Sequence, residues 1–264
     1  MSVIFFDIDG TIIGPDGRIP ASAALAIRQL KQAGHHCVIN TGRPRISLDP
    51  ELLELGFDAL ICACGQYVEQ EGRVLRRQGF DRATSQAILE KGRACGIELY
   101  FEEETSLWST LRQQPDLPEF AGALENLIRR GVDIRCPDGN PDFHFDKCCL
   151  LPSPDGRVEE FLDYVRPLCQ IIDRGGGMYE LPMKGSSKAL GCQLVAEAYG
   201  VPLADCYAIG DSSNDAEMLG CVGHPLVMGN ASAEVKALAE YVTAPLEEDG
   251  LYRAMVHTGL IAPQ

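Results

Sequence analysis

Val3-Ile4-Phe5-Phe6-Asp7-Ile8-Asp9-Gly10-Thr11 is the stretch on which the fold turns. Four apolar, strand-forming residues run directly into two aspartates and a glycine. A short apolar run closed by turn residues reads as a buried strand. The same phrase, an apolar strand ending in polar residues, recurs along the chain. Residues 37–39 lead into Asn40-Thr41-Gly42-Arg43, and Tyr207-Ala208-Ile209 leads into Gly210-Asp211, with Asn214 and Asp215 just beyond. Leu226-Val227-Met228 leads into Gly229-Asn230; residues 59–64 and 241–243 supply further strands.

Helical spacing fills the intervals. Residues 20–33 place Leu25 and Leu30 on one side and stop at Gly34. Ser187 can cap a helix over residues 188–199 that ends at Gly200. Strand and helix in alternation predict an α/β fold, a Rossmann-like parallel sheet wrapped by helices. The texture changes between residues 81 and 183, where helices at 83–96 and 158–165 mix with strands at 97–101 and 144–151. A Pro- and acid-rich patch with a second helix follows the first of these strands. A hairpin runs from Cys169 through Gly175, Gly176 and Gly177 to Leu181. The expected organisation is therefore a core made of residues 1–80 and 184–264, with an inserted α+β cap at 81–183. The crossings fall near residues 78–81 and 182–185.

Bulk properties narrow the partners. A formal net charge of −15 over 264 residues argues against nucleic acid and against an anionic membrane surface. An anionic substrate would need local positive charge set against that field. Met1 runs straight into the first strand without a leader's basic region, and no window carries the roughly 20 apolar residues of a membrane span, so a cytoplasmic protein is expected. Eleven cysteines fit a reducing compartment. Cys37, Cys62 and Cys206 lie in apolar runs and read as small buried hydrophobes. Cys62/Cys64 and Cys148/Cys149 are spaced closely enough to chelate, but no C-x-x-C spacing accompanies them and plain burial is the expectation.

In an open parallel sheet, ligands bind at the carboxyl ends of the strands. Three polar clusters stand at such ends and a fourth, at Lys188, opens a helix beside them. Asp7 and Asp9, two apart on extended backbone, are expected to project to the same side. With Asp211 they gather a charge of at least −3, which a closed crevice tolerates only around a cation. The donors are all hard oxygens, which favours Mg2+. Lys188, with Arg43 as a further candidate, the Thr41 hydroxyl and helix N-termini would hold phosphoryl oxygens. Each cluster alone has a plainer reading: a turn after a strand, a βα loop, a surface lysine, a helix cap at residues 211–215. Four such readings would have to hold together and in order.

The pieces F-F-D-I-D-G-T, N-T-G-R-P at 40–44, K-G-S-S-K-A at 184–189, G-D-S-S-N-D at 210–215, M-G-N-A at 228–231 and E-E-D-G at 247–250 resemble the haloacid dehalogenase-like hydrolases. Within them the chain resembles the Cof-type phosphatases with a large α/β cap. The resemblance implies a phosphatase acting on a small phosphorylated metabolite such as a sugar phosphate. It implies Asp7 as nucleophile forming an aspartyl-phosphate and Asp9 as general acid and base. Mg2+ would be held by Asp7, the backbone carbonyl of Asp9 and Asp211, with Asp215 in support. Thr41 and Lys188 would stabilise the transferring group; Gly42, Arg43 and Asn214 would contact substrate. A cap closing over the crevice would exclude water, with Asp142, His144, Lys147 and Glu180 as candidate specificity contacts. One departure is Cys64-Gly65, where the family usually carries Asn-Gly. The alternatives are a phosphomutase on the same core, which would need convergent arginines from among Arg129, Arg130 and Arg135, and a non-catalytic phosphate-binding module. Monomer and dimer are both left open.

Overall fold

The computed structural model describes residues 1–110, 124–125 and 127–263. The chain divides into two compact units, one of residues 1–43, 48–77 and 187–264, the other of residues 44–47 and 78–186. The Pro- and acid-rich patch read from the sequence, with most of the helix that follows it, lies outside the described residues.

The first unit is built on an eight-stranded sheet. Its strands are β1 (Val3–Phe6), β2 (His36–Asn40), β3 (Ala59–Cys62), β4 (Tyr67–Gln70), β5 (Arg73–Arg77), β12 (Tyr207–Gly210), β13 (His224–Val227) and β14 (Tyr241–Val242), in the order β14-β13-β12-β1-β2-β3-β4-β5. The six strands from β14 to β3 are parallel; β4 and β5 add an antiparallel hairpin at one edge. The opening stretch explains why β1 sits centrally. Val3 and Phe5 enter one apolar cluster, Ile4 and Phe6 the other, and all four are fully buried. Period-2 alternation thus serves both faces. Each such side chain contributes roughly 1.5–3 kcal/mol by leaving water.

Helices α1 (Ala21–Gln32) and α8 (Gly250–His257) cover the Ile4/Phe6 face through Ala23, Ala26, Ile27 and Leu30, and through Leu251, Ala254 and Met255. A short α2 (Pro50–Leu53) adds Leu52 to that cluster. The other face takes α5 (Lys188–Tyr199), α6 (Ala216–Cys221) and α7 (Ala233–Lys236), through Cys192, Val195, Met218, Leu219 and Val235. Helix α5 starts and stops where the sequence places it. Ser187 Oγ accepts from the Leu190 amide at 3.0 Å, and Gly200 closes the helix in the left-handed region.

The second unit carries a six-stranded sheet ordered β10-β11-β9-β6-β7-β8, from β6 (Leu99–Glu102), β7 (Leu107–Ser109), β8 (Ile134–Arg135), β9 (Lys147–Leu150), β10 (Ile172–Gly175) and β11 (Met178–Leu181). Helices α3 (Arg82–Cys95) and α4 (Val158–Val165) pack on one face around Phe101, Phe145, Phe161 and Trp108. The glycine run does form a hairpin turn: Gly175, Gly176 and Gly177 all have positive φ, between β10 and β11. Among the described residues no helix is long and apolar enough to cross a membrane.

The β4–β5 hairpin is a feature that the strand–helix alternation did not anticipate. It turns on Glu71-Gly72, both with positive φ. Glu at the first of these positions replaces the Asn or Asp that normally marks such a turn.

Gly65, just after β3, lies at φ +82°, and a Cβ there would overlap the Ser187 carbonyl; Gly72 lies at φ +80° with open space around it. Gly65→Ala should therefore lower stability by about 3 kcal/mol or more, strain and overlap together, and Gly72→Ala by only about 1–2 kcal/mol. Urea unfolding midpoints of the two variants measure the difference.

Candidate active site

Strand order decides which loops meet. β13, β12, β1 and β2 are successive neighbours, so the residues after their carboxyl ends line one stretch of sheet edge. Connections leave β1 towards β2 on one side and reach β12 on the other, which makes this edge a topological switch point.

Lys188 stands at the start of α5, yet its side chain is 2% exposed. Its Nζ donates to Asp7 Oδ1 at 2.6 Å and to Asp215 Oδ1 at 2.5 Å, with Asn214 Oδ1 at 3.4 Å. A lysine placed against the helix dipole is thus repaid twice over by buried carboxylates. Burial works against its charge, but Asp215 and Asp7 more than compensate and raise its pKa. Asn40 fixes the same helix end, donating from Nδ2 to the Lys188 carbonyl at 3.0 Å.

Asp215 is fully buried and commits both oxygens to the protein. Oδ1 takes Lys188, and Oδ2 accepts from the amides of Asp211 and Ser212 at 3.0 Å each. The helix-cap reading of residues 211–215 describes this loop: Ser212 and Asp215 form a capping box, and the same Asp215 carboxylate also accepts from Lys188. Asp211 faces the other way. Its Oδ2 accepts from Asn230 Nδ2 at 3.1 Å, whereas its Oδ1 is buried without a hydrogen-bond partner. Gly10, at φ +79°, leaves the space this carboxylate fills; a Cβ there would overlap it. One oxygen each from Asp7, Asp211 and Asp215 lies within 4.8 Å of the others. An orphaned buried oxygen among three hard donors fits a divalent cation.

Burial, aided by Asp215 and opposed by Lys188, pushes Asp7 up to about 8. Burial and Asp215 likewise push Asp211 up to about 6. Both shifts come first from burial, with the neighbouring Asp215 carboxylate adding to it and Lys188 opposing it.

Asp9 does not join this cluster through its carboxylate, contrary to the expectation that Asp7 and Asp9 project together. The backbone leaves the extended conformation at Ile8, whose carbonyl accepts from the amides of Thr11, Ile12 and Ile13. Ile8 itself is buried in the core. The turn carries Asp9 outward, to 62% side-chain exposure, where it meets Arg43: Nε to Oδ2 at 2.9 Å and Nη2 to Oδ1 at 2.5 Å. Thr41 is buried after β2, and its Oγ1 accepts from the Arg43 amide at 3.1 Å. Gly42 lies between them. Asn214 is half-buried and receives the Ser212 hydroxyl at 2.6 Å.

Cys64 is buried in the left-handed region at φ 54°, ψ 42°, and its amide donates to the Thr41 carbonyl at 3.1 Å. Asparagine tolerates that backbone better than most residues. Cys62, Cys148 and Cys149 are buried as well, and no metal-capable cluster among the described residues includes a cysteine. In the second unit, Lys147 pairs with Glu102 at 2.8 Å and lies 3.8 Å from Glu180. Asp142 pairs with Arg82, and His144 lies 3.8 Å from Glu103. Arg130 reaches the Ser47 carbonyl, while Arg135 pairs with Asp133 beside Trp108. Asn230 is the residue that motif reading passed over: it was quoted in M-G-N-A, but nothing in the sequence said that it would reach the Gly10 carbonyl and Asp211 together.

Lys188→Met removes the ammonium shared by two buried carboxylates and should cost about 3–5 kcal/mol. The sign with pH follows from Asp7. A carboxyl raised from 3.8 to about 8 in the folded state stabilises below its unfolded value, and that contribution drops away as pH rises towards about 8. Lys188 lowers the Asp7 pKa, so without it Asp7 keeps its proton to higher pH, and the folded variant goes on losing stability where the wild type levels off. Unfolding in EDTA should show a larger deficit for Lys188→Met at about pH 9 than at about pH 5.

The comparisons with known proteins agree among themselves. A family model described as haloacid dehalogenase-like hydrolase matches residues 4–255. A Bacillus subtilis (strain 168) protein named "Putative phosphatase YkrA" is 30% identical over 259 residues, covering 98% of each chain. An HMP-PP phosphatase of Klebsiella pneumoniae (strain 342) is 28% identical, covering 88% of this chain and 85% of its own. Among solved structures, the HAD subclass IIB sugar phosphatase BT4131 superposes with a TM-score of 0.83 at 27% identity, over 99% of this chain and 100% of its own.

Proposed function

The chain belongs to the haloacid dehalogenase-like hydrolases, and from that membership we propose a Mg2+-dependent phosphatase that works through an aspartyl-phosphate on Asp7. It is a phosphatase of small phosphorylated metabolites; one relative is named a putative phosphatase, another an HMP-PP phosphatase, and a third a sugar phosphatase. The observation that carries the mechanism is the buried Asp7–Lys188–Asp215 arrangement with Asp211 alongside, its Oδ1 uncommitted.

Asp7, Asp211 and the carbonyl of Asp9 would hold Mg2+, with Asp215 behind them. Bound there, the ion supplies charge neutralisation for a phosphoryl group and draws Asp7 towards its carboxylate form. The residues of the chain do the rest. The Asp7 carboxylate attacks phosphorus as the bond to the leaving oxygen breaks, and Asp9 gives that oxygen its proton. Water then attacks the phosphorus of the aspartyl-phosphate, Asp9 takes a proton from it, and inorganic phosphate leaves with Asp7 restored. Lys188 and the Thr41 hydroxyl balance charge on the equatorial oxygens. Gly42, Arg43 and Asn214 contact the substrate. HMP-PP and sugar phosphates, from the relatives' names, are the first substrates to try.

Asp7→Asn should lose p-nitrophenyl phosphate turnover by about three orders of magnitude or more, with an unchanged circular dichroism spectrum, since an amide is no nucleophile. Retained turnover would end the covalent scheme. A hexose phosphate should yield free inorganic phosphate; isomerisation without phosphate release would point to a mutase.

EDTA should silence the enzyme and Mg2+ restore it. At about 100 times its Kd, Mg2+ should also stabilise the fold by ~2.7 kcal/mol, and Asp211→Asn should lose that stabilisation. A wild-type unfolding midpoint indifferent to Mg2+ would rule the metal site out.

A further inference from the structure

Arg43 has a second partner that neither the motifs nor the proposed chemistry use. Its Nε and Nη2 form the fork on Asp9, while Nη1 donates to Asp49 Oδ2 at 3.0 Å. The two carboxylates differ in setting. Asp9 is 62% exposed at the side chain, Asp49 only 23%.

The local sequence Leu48-Asp49-Pro50-Glu51-Leu52 makes Asp49 a rigid mount. Leu48 and Leu52 are both buried in the core cluster beneath the sheet. Pro50 opens α2 and holds the residue before it extended, at φ −70°, ψ 138°. The Asp49 carbonyl accepts from the Leu53 amide at 3.1 Å. The Asp49 side chain makes no cap bond to its own helix, and its Oδ2 accepts from Arg43 Nη1.

A guanidinium is planar, and its donors keep a fixed fork geometry. Holding Nη1 from one side sets the rotation of the whole plane, and with it the direction of the Nε/Nη2 edge. Without that hold, an exposed aspartate and a long arginine would be free to turn together.

We propose that Asp49 is a positioning residue: through Arg43 it fixes the orientation in which the Asp9 carboxyl meets the leaving oxygen. The inference rests on the proposed role of Asp9. Asp49 touches neither substrate nor metal, and acts on the step in which a proton passes from Asp9 to the leaving oxygen as the P–O bond breaks.

Two esters separate this from a structural role. An alkyl phosphate needs that proton; p-nitrophenyl phosphate, with a stable phenolate, needs it far less. The ratio of kcat/KM between the two esters is insensitive to how much of a variant is folded, because unfolded protein lowers both equally. Asp49→Ala should reduce kcat/KM for the alkyl ester about tenfold and for p-nitrophenyl phosphate by less than about twofold. In an Arg43→Ala background the same substitution should change the ratio no further, since its intermediary is gone. An unchanged ratio in the single variant, or a full further effect without Arg43, overturns the inference while leaving the phosphatase reading intact. Turnover that survives Asp7→Asn overturns the phosphatase reading and this one with it.

Discussion

One ammonium group buried between two carboxylates constrains the site as a whole. Lys188 can lie at 2% exposure only because Asp7 and Asp215 both accept from it. Those aspartates can be buried only because Lys188 is there. Helix α5, strand β1 and the loop after β12 are thereby tied at one point, from sequence positions up to 208 residues apart (215 − 7). The tie leaves a surplus of negative charge, because Asp211 stands in the same crevice with a buried, unpaired oxygen. The three carboxylates there form a donor set that fits a cation.

The backbone around this point is shaped to let carboxylates approach. Side chains at Gly10 and Gly210 would collide with the carboxylates of Asp211 and Asp215, respectively. Gly65 lets the loop after β3 lie against the residue that caps α5. Asn40 and Asn230 then lock the two sides, one holding the first turn of α5 and the other bridging the Gly10 carbonyl to Asp211. Glycines remove bulk and asparagines supply reach, so the acidic cluster is positioned by main chain rather than by flexible side chains.

Legibility in the sequence followed the range of the forces involved. The parallel core was readable because β1 buries both faces and announces it in four consecutive apolar residues. Helix α5 was readable to the residue, since Ser187 and Gly200 are local signals. The β4–β5 hairpin was missed because its turn uses Glu71 where Asn or Asp would have given it away. Convergence of Asp7, Lys188 and Asp211 could be inferred from strand ends meeting at one edge. Partner choice within that edge could not. Asn230 on Asp211 and Asp49 on Arg43 depend on distances that no spacing rule encodes.

The separation of Asp7 from Asp9 shows where the periodicity argument breaks and why the break is useful. A strict period of two would have aimed both carboxylates into the crevice, adding a fourth negative charge to a cluster already short of balance. Instead, three amides converging on the Ile8 carbonyl turn the chain, leaving Asp7 buried against Lys188 and Asp9 exposed against Arg43. Two chemically identical groups, one residue removed from each other, thus sit in opposite environments: one desolvated and held at a metal-capable centre, the other in contact with water and with a guanidinium. Different environments are how a pair of carboxylates acquires different tasks. In the proposed scheme the attacking group is fixed and shielded and the proton carrier reaches solvent, and the turn at Ile8 would meet both requirements within three residues.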